Sequence, residues 1–181
     1  MIYRPIPDDG FPAKKTGVRT SGEKALQKIK HYCGYQERSH AEVKEKLYSF
    51  GLWKNEVEAL ISQLIEENYL NEERFAIAFA GGRFRIKKWG RVKIRIELKK
   101  RKLSEYCIRK ALEQINEADY KKTLKTLFQK KWAATKEADT GKRLYKVSQY
   151  LVSRGFEPEY VREAGIFPTF ALSAEAEREG G

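Results

Sequence analysis

One apolar skeleton, repeated three times in tandem, limits what this chain can fold into more than any other feature. Displacing the sequence by 51 residues lays Val43 on Ile94, Leu47 on Leu98, Leu52 on Leu103, Val57 on Ile108, Ile61 on Leu112 and Leu64 on Ile115. The same displacement lays Ala25, Leu26, Ile29 and Cys33 on Ala76, Ile77, Ala80 and Phe84. A further displacement of 53 lays Ile94 on Val147, Leu98 on Leu151, Leu103 on Phe156 and Ile108 on Val161. Self-similarity at a period near fifty residues marks a repeat architecture in which each unit is one supersecondary motif. Within each copy the apolar residues recur every three to four positions, the spacing of a helix face. The fold class is therefore all-α: three tandem three-helix, helix-turn-helix-like repeats.

The repeat divides the chain into a flexible N-terminal arm (1–20, with Pro5, Pro7 and Pro12), repeat 1 (21–70), repeat 2 (71–117), repeat 3 (118–167) and a flexible tail (168–181). Ser21 and Ser39 are placed to cap helices, and Gly51 to end one. The repeat also decides one ambiguity. Val92, Ile94, Ile96 and Leu98 alternate with charged residues as a β-strand would, yet their counterparts at 42–48 and 146–152 have helical spacing. A helix starting near Gly90 follows, with Ile94 and Leu98 facing the core.

Charge is concentrated in the second repeat. Arg83 to Lys102 holds eleven Lys and Arg against one acid, Glu97, a local +10 within a chain of net charge +12. Such a block gathers polyanions or acidic protein surface. With almost no acid nearby in sequence, a balanced, solvated face is disfavoured. Phe84 occupies a core-facing repeat position. Trp89 does not, which makes it the candidate for stacking on a base or anchoring in a protein pocket. Trp53 lies in the corresponding turn region of the first repeat, where a packing role at a repeat junction serves equally well.

Catalytic and metal chemistry find no support. His31, Cys33, His40 and Cys107 are the soft ligands, with no CxxC and no His pair at i, i+4. Gly141-Lys142 lacks the glycine a phosphate-binding loop needs five positions earlier, where Lys136 stands, and Gly81, Gly82 and Gly90 do not make GxGxxG. Both histidines lie in the first repeat, so no nucleophile–base pair can be assembled. Adjacent pairs such as Glu66–Glu67 and Glu72–Glu73 diverge on a helix and read as capping or solvated acids. No enzyme activity and no cofactor are expected. No apolar run approaches the ~18 residues of a membrane helix, no secretory signal is evident, and two cysteines suit a reducing cytoplasm.

The runs RSHAEVKEKL (38–47), VEALISQLIEENYLNEERFAIAFAGGR (57–83) and WGRVKIRIEL (89–98) resemble the RecX family of bacterial regulatory proteins. The likeness spans about 23–165 and is most specific at YLNEERFA (69–76), then Arg83 and the helix from Gly90 to Leu98. It implies three-helix repeats in an elongated, curved array. It also implies a monomer that binds the RecA filament on single-stranded DNA and inhibits ATP hydrolysis, strand exchange and LexA co-cleavage, as part of DNA repair, recombination and the SOS response. No cofactor or catalytic residue is implied. The chain departs from the family pattern at Glu72, which keeps an acid where many members have Asp, and at Lys102, where many have glycine.

The residues expected to meet RecA or DNA are Arg83, Arg85, Lys87, Lys88, Trp89, Arg91, Lys93, Arg95, Lys99 and Lys100. The alternative is a sequence-independent DNA-binding module, since no set of Arg, Asn and Gln is arranged to read base edges. Weak direct DNA contact is compatible with either.

Overall fold

The computed structural model describes residues 20–165; the arm, apart from Thr20, and the tail lie outside them. Among the described residues the chain forms nine helices and no strand: α1 (Gly22–Tyr35), α2 (His40–Ser49), α3 (Lys54–Glu66), α4 (Glu72–Lys87), α5 (Arg91–Lys100), α6 (Glu105–Glu113), α7 (Glu117–Ala134), α8 (Thr140–Ser153) and α9 (158–165). They group as three three-helix repeats. The chain packs as two compact units that divide between Asn71 and Glu72.

The first unit is the first repeat. Its core is Ala25, Ile29, Cys33, Val43, Leu47, Leu52, Val57, Ile61, Leu64 and Leu70; all but Leu70 belong to the skeleton, whose remaining member, Leu26, is only half-buried against it. Ser39 opens α2 with a reciprocal cap: its hydroxyl accepts the Glu42 N–H at 3.2 Å, and the Glu42 carboxylate accepts the Ser39 N–H at 2.9 Å. Ser21 precedes α1 in extended conformation, but its side chain makes no capping bond.

The second unit holds repeats two and three around one continuous core that runs from Phe75 and Ala76 to Phe156 and Val161. The basic segment is a helix: Ile94 and Leu98 are fully buried while Val92 and Ile96 stay 42% and 47% exposed. Its alternation is thus an α face that happens to carry two exposed β-branched residues. Glu72, the retained acid, accepts the Ser104 N–H at 2.6 Å and so ties the start of α4 to the start of α6.

The turn after each middle helix repeats in detail. Gly51, Lys102 and Gly155 occupy equivalent positions, and their φ angles are 78°, 59° and 89°. All three close the helix in the left-handed conformation that glycine tolerates best, so Lys102 bears a backbone strain its two counterparts avoid. The third repeat differs elsewhere. From Cys33 to Val43, and from Phe84 to Ile94, the step between core positions is ten residues, whereas from Trp132 to Val147 it is fifteen. The extra residues go into a longer α7 and the turn at 135–139.

Candidate functional site: the basic second repeat

The basic segment is divided by its fold into three environments. Arg85, Lys87 and Lys88 are exposed at the end of α4 and form no ion pair among the described residues. Lys88 takes φ 53°, which turns the chain sharply out of α4. The Arg85 guanidinium lies back over Gly81, 2.9 Å from where a Cβ would stand, so Gly81 makes room for it. Exposed Ile86 sits in the same stretch at 77%.

Arg95, Lys99 and Lys100 are also exposed, on α5, but each has an acid. Arg95 and Lys99 share Glu105 of α6 at 3.3 and 2.5 Å, and Lys100 meets Glu97 at 3.0 Å. The Lys99 bond, chiefly, holds the Glu105 carboxyl below its usual range. The block's one internal acid, Glu97, is thus joined by Glu105 from just outside it, brought alongside by folding. Exposed pairs of this kind contribute little and exchange readily for another anion.

Trp89 and Arg91 are placed otherwise than the sequence suggests. Trp89 is half-buried against the edge of the core rather than standing open. Arg83 and Lys93 lie over its ring at 5.3 and 5.0 Å, so these two half-buried cations and the indole form one cluster. Arg91 is a structural clasp. Its guanidinium donates to the Glu117 carboxylate at 2.7 Å and the Ile115 carbonyl at 3.3 Å, and lies over the Tyr120 ring at 4.1 Å. Tyr160 donates to the other Glu117 oxygen at 2.6 Å. The Tyr160 hydroxyl and Arg91 together hold the Glu117 carboxyl below the ordinary glutamate range. Burial, then the Glu157 carboxylate, push the Tyr120 phenol up.

The start of α5 is completed by the third repeat. Helix starts leave their first N–H groups without intrahelical partners. Here Gly90 N–H donates to the Arg154 carbonyl at 2.9 Å, Arg91 N–H to the Tyr120 hydroxyl at 3.1 Å and Val92 N–H to the Gly155 carbonyl at 3.0 Å. In return the Arg154 guanidinium donates to the carbonyls of Lys87 and Lys88 at the end of α4. Glycine is required at both ends of this contact. A Cβ on Gly90 would stand 2.1 Å from the Gly155 oxygen, and one on Gly155 would stand 2.3 Å from the Lys93 Cβ. Sequence reasoning missed Glu117, Tyr120, Arg154 and Tyr160. The one signal, and for Arg154 and Tyr160 alone, is that the turn SRGFEPEY at 153–160 repeats SFGLWKNE at 49–56.

Among the described residues no three His, Cys, Asp or Glu side chains are grouped so as to hold a metal ion, and no helix is long and apolar enough to cross a membrane.

Comparison with known proteins agrees with this architecture. Residues 71–112 match the family profile described as RecX, second three-helix domain, and residues 117–164 match RecX, third three-helix domain. The chain is 32% identical over 133 residues to the regulatory protein RecX of Thermotoga petrophila, covering 71% of this chain and 74% of that one. It is 29% identical over 140 residues to the regulatory protein RecX of Prosthecochloris aestuarii, covering 77% and 90% respectively. The crystal structure of RecX from Lactobacillus salivarius shares the fold with a TM-score of 0.71 at 20% identity, over 79% of this chain and 93% of that one.

Proposed function

From the premise that the chain belongs to the RecX family, we propose that it is a negative regulator of the RecA recombinase. It binds the RecA filament on single-stranded DNA and inhibits ATP hydrolysis, strand exchange and co-protease activity. The observation that carries the reading on this chain's own residues is the trio Arg85, Lys87 and Lys88, exposed and without an ion pair among the described residues. A folded protein that leaves three adjacent cations unmatched offers them to an outside anion. Arg95, Lys99 and Lys100 join by exchanging Glu105 and Glu97 for acidic RecA surface or phosphate. Trp89, Arg83 and Lys93 stiffen the platform. Arg91 supports it from within and is not counted among the contacting cations.

The test is DNA-dependent ATP hydrolysis by the cognate RecA on presaturated single-stranded DNA, with this protein titrated from far below to equal stoichiometry. Inhibition is expected well below one per RecA. Replacing Arg85, Lys87 and Lys88 together by Gln should raise the concentration for half inhibition at least tenfold, from about 0.5–1 kcal/mol per contact, with the helical circular dichroism unchanged. Full inhibition by the folded triple variant overturns the assignment of these residues. The second reading, a sequence-independent DNA-binding module, is favoured by the same three cations. It takes the lead if inhibition appears only at concentrations that coat bare DNA and affinity falls steeply with salt.

A further inference from the structure

The first repeat carries a groove that the basic block does not explain. It is about 560 Å³ in volume, between the C-terminal half of α1, the α1–α2 connection at Arg38, and the last turn of α2 with its closing residue Phe50. Lys28, Arg38 and Lys46 line it together with Tyr32, Tyr35 and Phe50, and no carboxylate does. The three cations gather there although residues 21–70 hold seven Lys and Arg against eight Asp and Glu, and burial, with Glu42 and Glu45 close enough to help, raises the Tyr32 phenol.

The cations lie across two of the rings. Arg38 sits over Tyr32 at 3.9 Å, Lys46 over both Tyr32 and Phe50 at 5.8 and 5.5 Å, and Lys28 over Phe50 at 5.7 Å. Two features are left over. The Arg38 Nε is shielded from solvent and has no hydrogen-bond partner, a donor lacking its acceptor. Tyr35, the last residue of α1, is 80% exposed and makes no ring contact among the described residues.

Cations that follow a groove beside a bare aromatic face are what a single-stranded nucleic acid needs. Phosphates are neutralised along the groove, and an unpaired base stacks on the ring. An acidic peptide would answer the cations and leave Tyr35 without purpose. A duplex would keep its base faces stacked inside. We infer that this groove in the first repeat binds single-stranded nucleic acid, with Lys28, Arg38 and Lys46 on the phosphates and Tyr35 beneath a base. Recognition is tolerant of sequence, because Gln27 is the one side-chain amide lining the groove.

The site is carried by different residues from the basic second repeat, and it stands or falls separately from regulation of RecA. The experiment measures binding of the full chain to a fluorescent oligothymidine by anisotropy at several salt concentrations, without RecA, for the parent protein and three variants. Tyr35→Ala should weaken binding about tenfold, within the range for one lost stacked base, while Tyr35→Phe should bind as the parent does. The Lys28→Gln/Lys46→Gln double variant should flatten the salt dependence by about 1.4 in log–log slope, two single-strand phosphates at about 0.7 each. A folded Tyr35→Ala protein that binds like the parent, or an unaltered salt slope, overturns the inference. So does displacement by polyglutamate at the concentration where oligothymidine fails to compete, which would identify an acidic-peptide site. Inhibition of RecA, measured on the same variants, reports on the regulatory reading alone.

Discussion

Substituting Gly90 by Ala puts one methyl group at the point where the second and third repeats touch backbone to backbone. The added Cβ would stand 2.1 Å from the Gly155 oxygen, 2.2 Å from its carbonyl carbon and 2.3 Å from the Phe156 nitrogen. None of these is the end of a side chain that could swing away, so α5 must withdraw from the 154–156 turn. Withdrawal lengthens the Gly90–Arg154 and Val92–Gly155 hydrogen bonds, at about 1 kcal/mol each. Repacking around an inserted methyl adds about 1–3 kcal/mol. The expected loss is therefore about 3–5 kcal/mol in the second unit. Gly82→Ala is the matched control. The chemical change is the same, but nothing lies within 4 Å of that Cβ and the residue is inside α4, so it should stabilise by about 0.5–1 kcal/mol. Urea unfolding in a Trp53→Phe background reads the second unit alone, since the chain's remaining tryptophans, Trp89 and Trp132, both lie there. A Gly90→Ala cost below about 1 kcal/mol, or equal damage from both substitutions, would refute the close-approach argument.

Lys102→Gly should raise stability by up to about 1 kcal/mol in the same assay, because φ 59° strains a lysine where the equivalent turns use glycine. Acidification should weaken the second unit. Glu117 has its folded-state pKa depressed by Tyr160 and Arg91, so its contribution is present above the unfolded value, about 4.3, and is lost as pH falls through the folded one. The urea midpoint should therefore drop as pH falls below about 5, and Glu117→Gln should make that drop shallower.

The repeat was legible because burial is a one-residue property. Val43, Ile94 and Val147, or Val57, Ile108 and Val161, each announce an inward position by side-chain chemistry, and all six are at most 2% exposed. The helical character of 91–100 followed from that register against the local alternation. The five-residue lengthening before α8 was not legible, since a polar stretch adds nothing to an apolar pattern. The division of the basic block was hidden for a related reason. Arg91 and Arg95 are the same residue type on one helix, and only the fold decides that one meets Glu117 beside two tyrosines while the other shares an exposed Glu105. Two of the three caps that begin α5 are backbone carbonyls, of Arg154 and Gly155, and a carbonyl leaves no mark in a sequence. Gly90 and Gly155 were the only trace, as two residues without a side chain where the partner's backbone had to fit.

The cap on α5 also sets an order of events during synthesis. Residue 90 leaves the ribosome 64 residues before residue 154, the carbonyl that its N–H needs. Through that interval the ten-residue basic helix has its core residues but not its beginning, and a short helix with an unmade first turn is marginal. The first repeat, with a core of its own, can be complete by then. The second must wait for the third. A nascent chain halted before Arg154 would display the α5 cations on a fraying helix rather than on a platform, so that part of the charged surface is completed only with the C-terminal repeat.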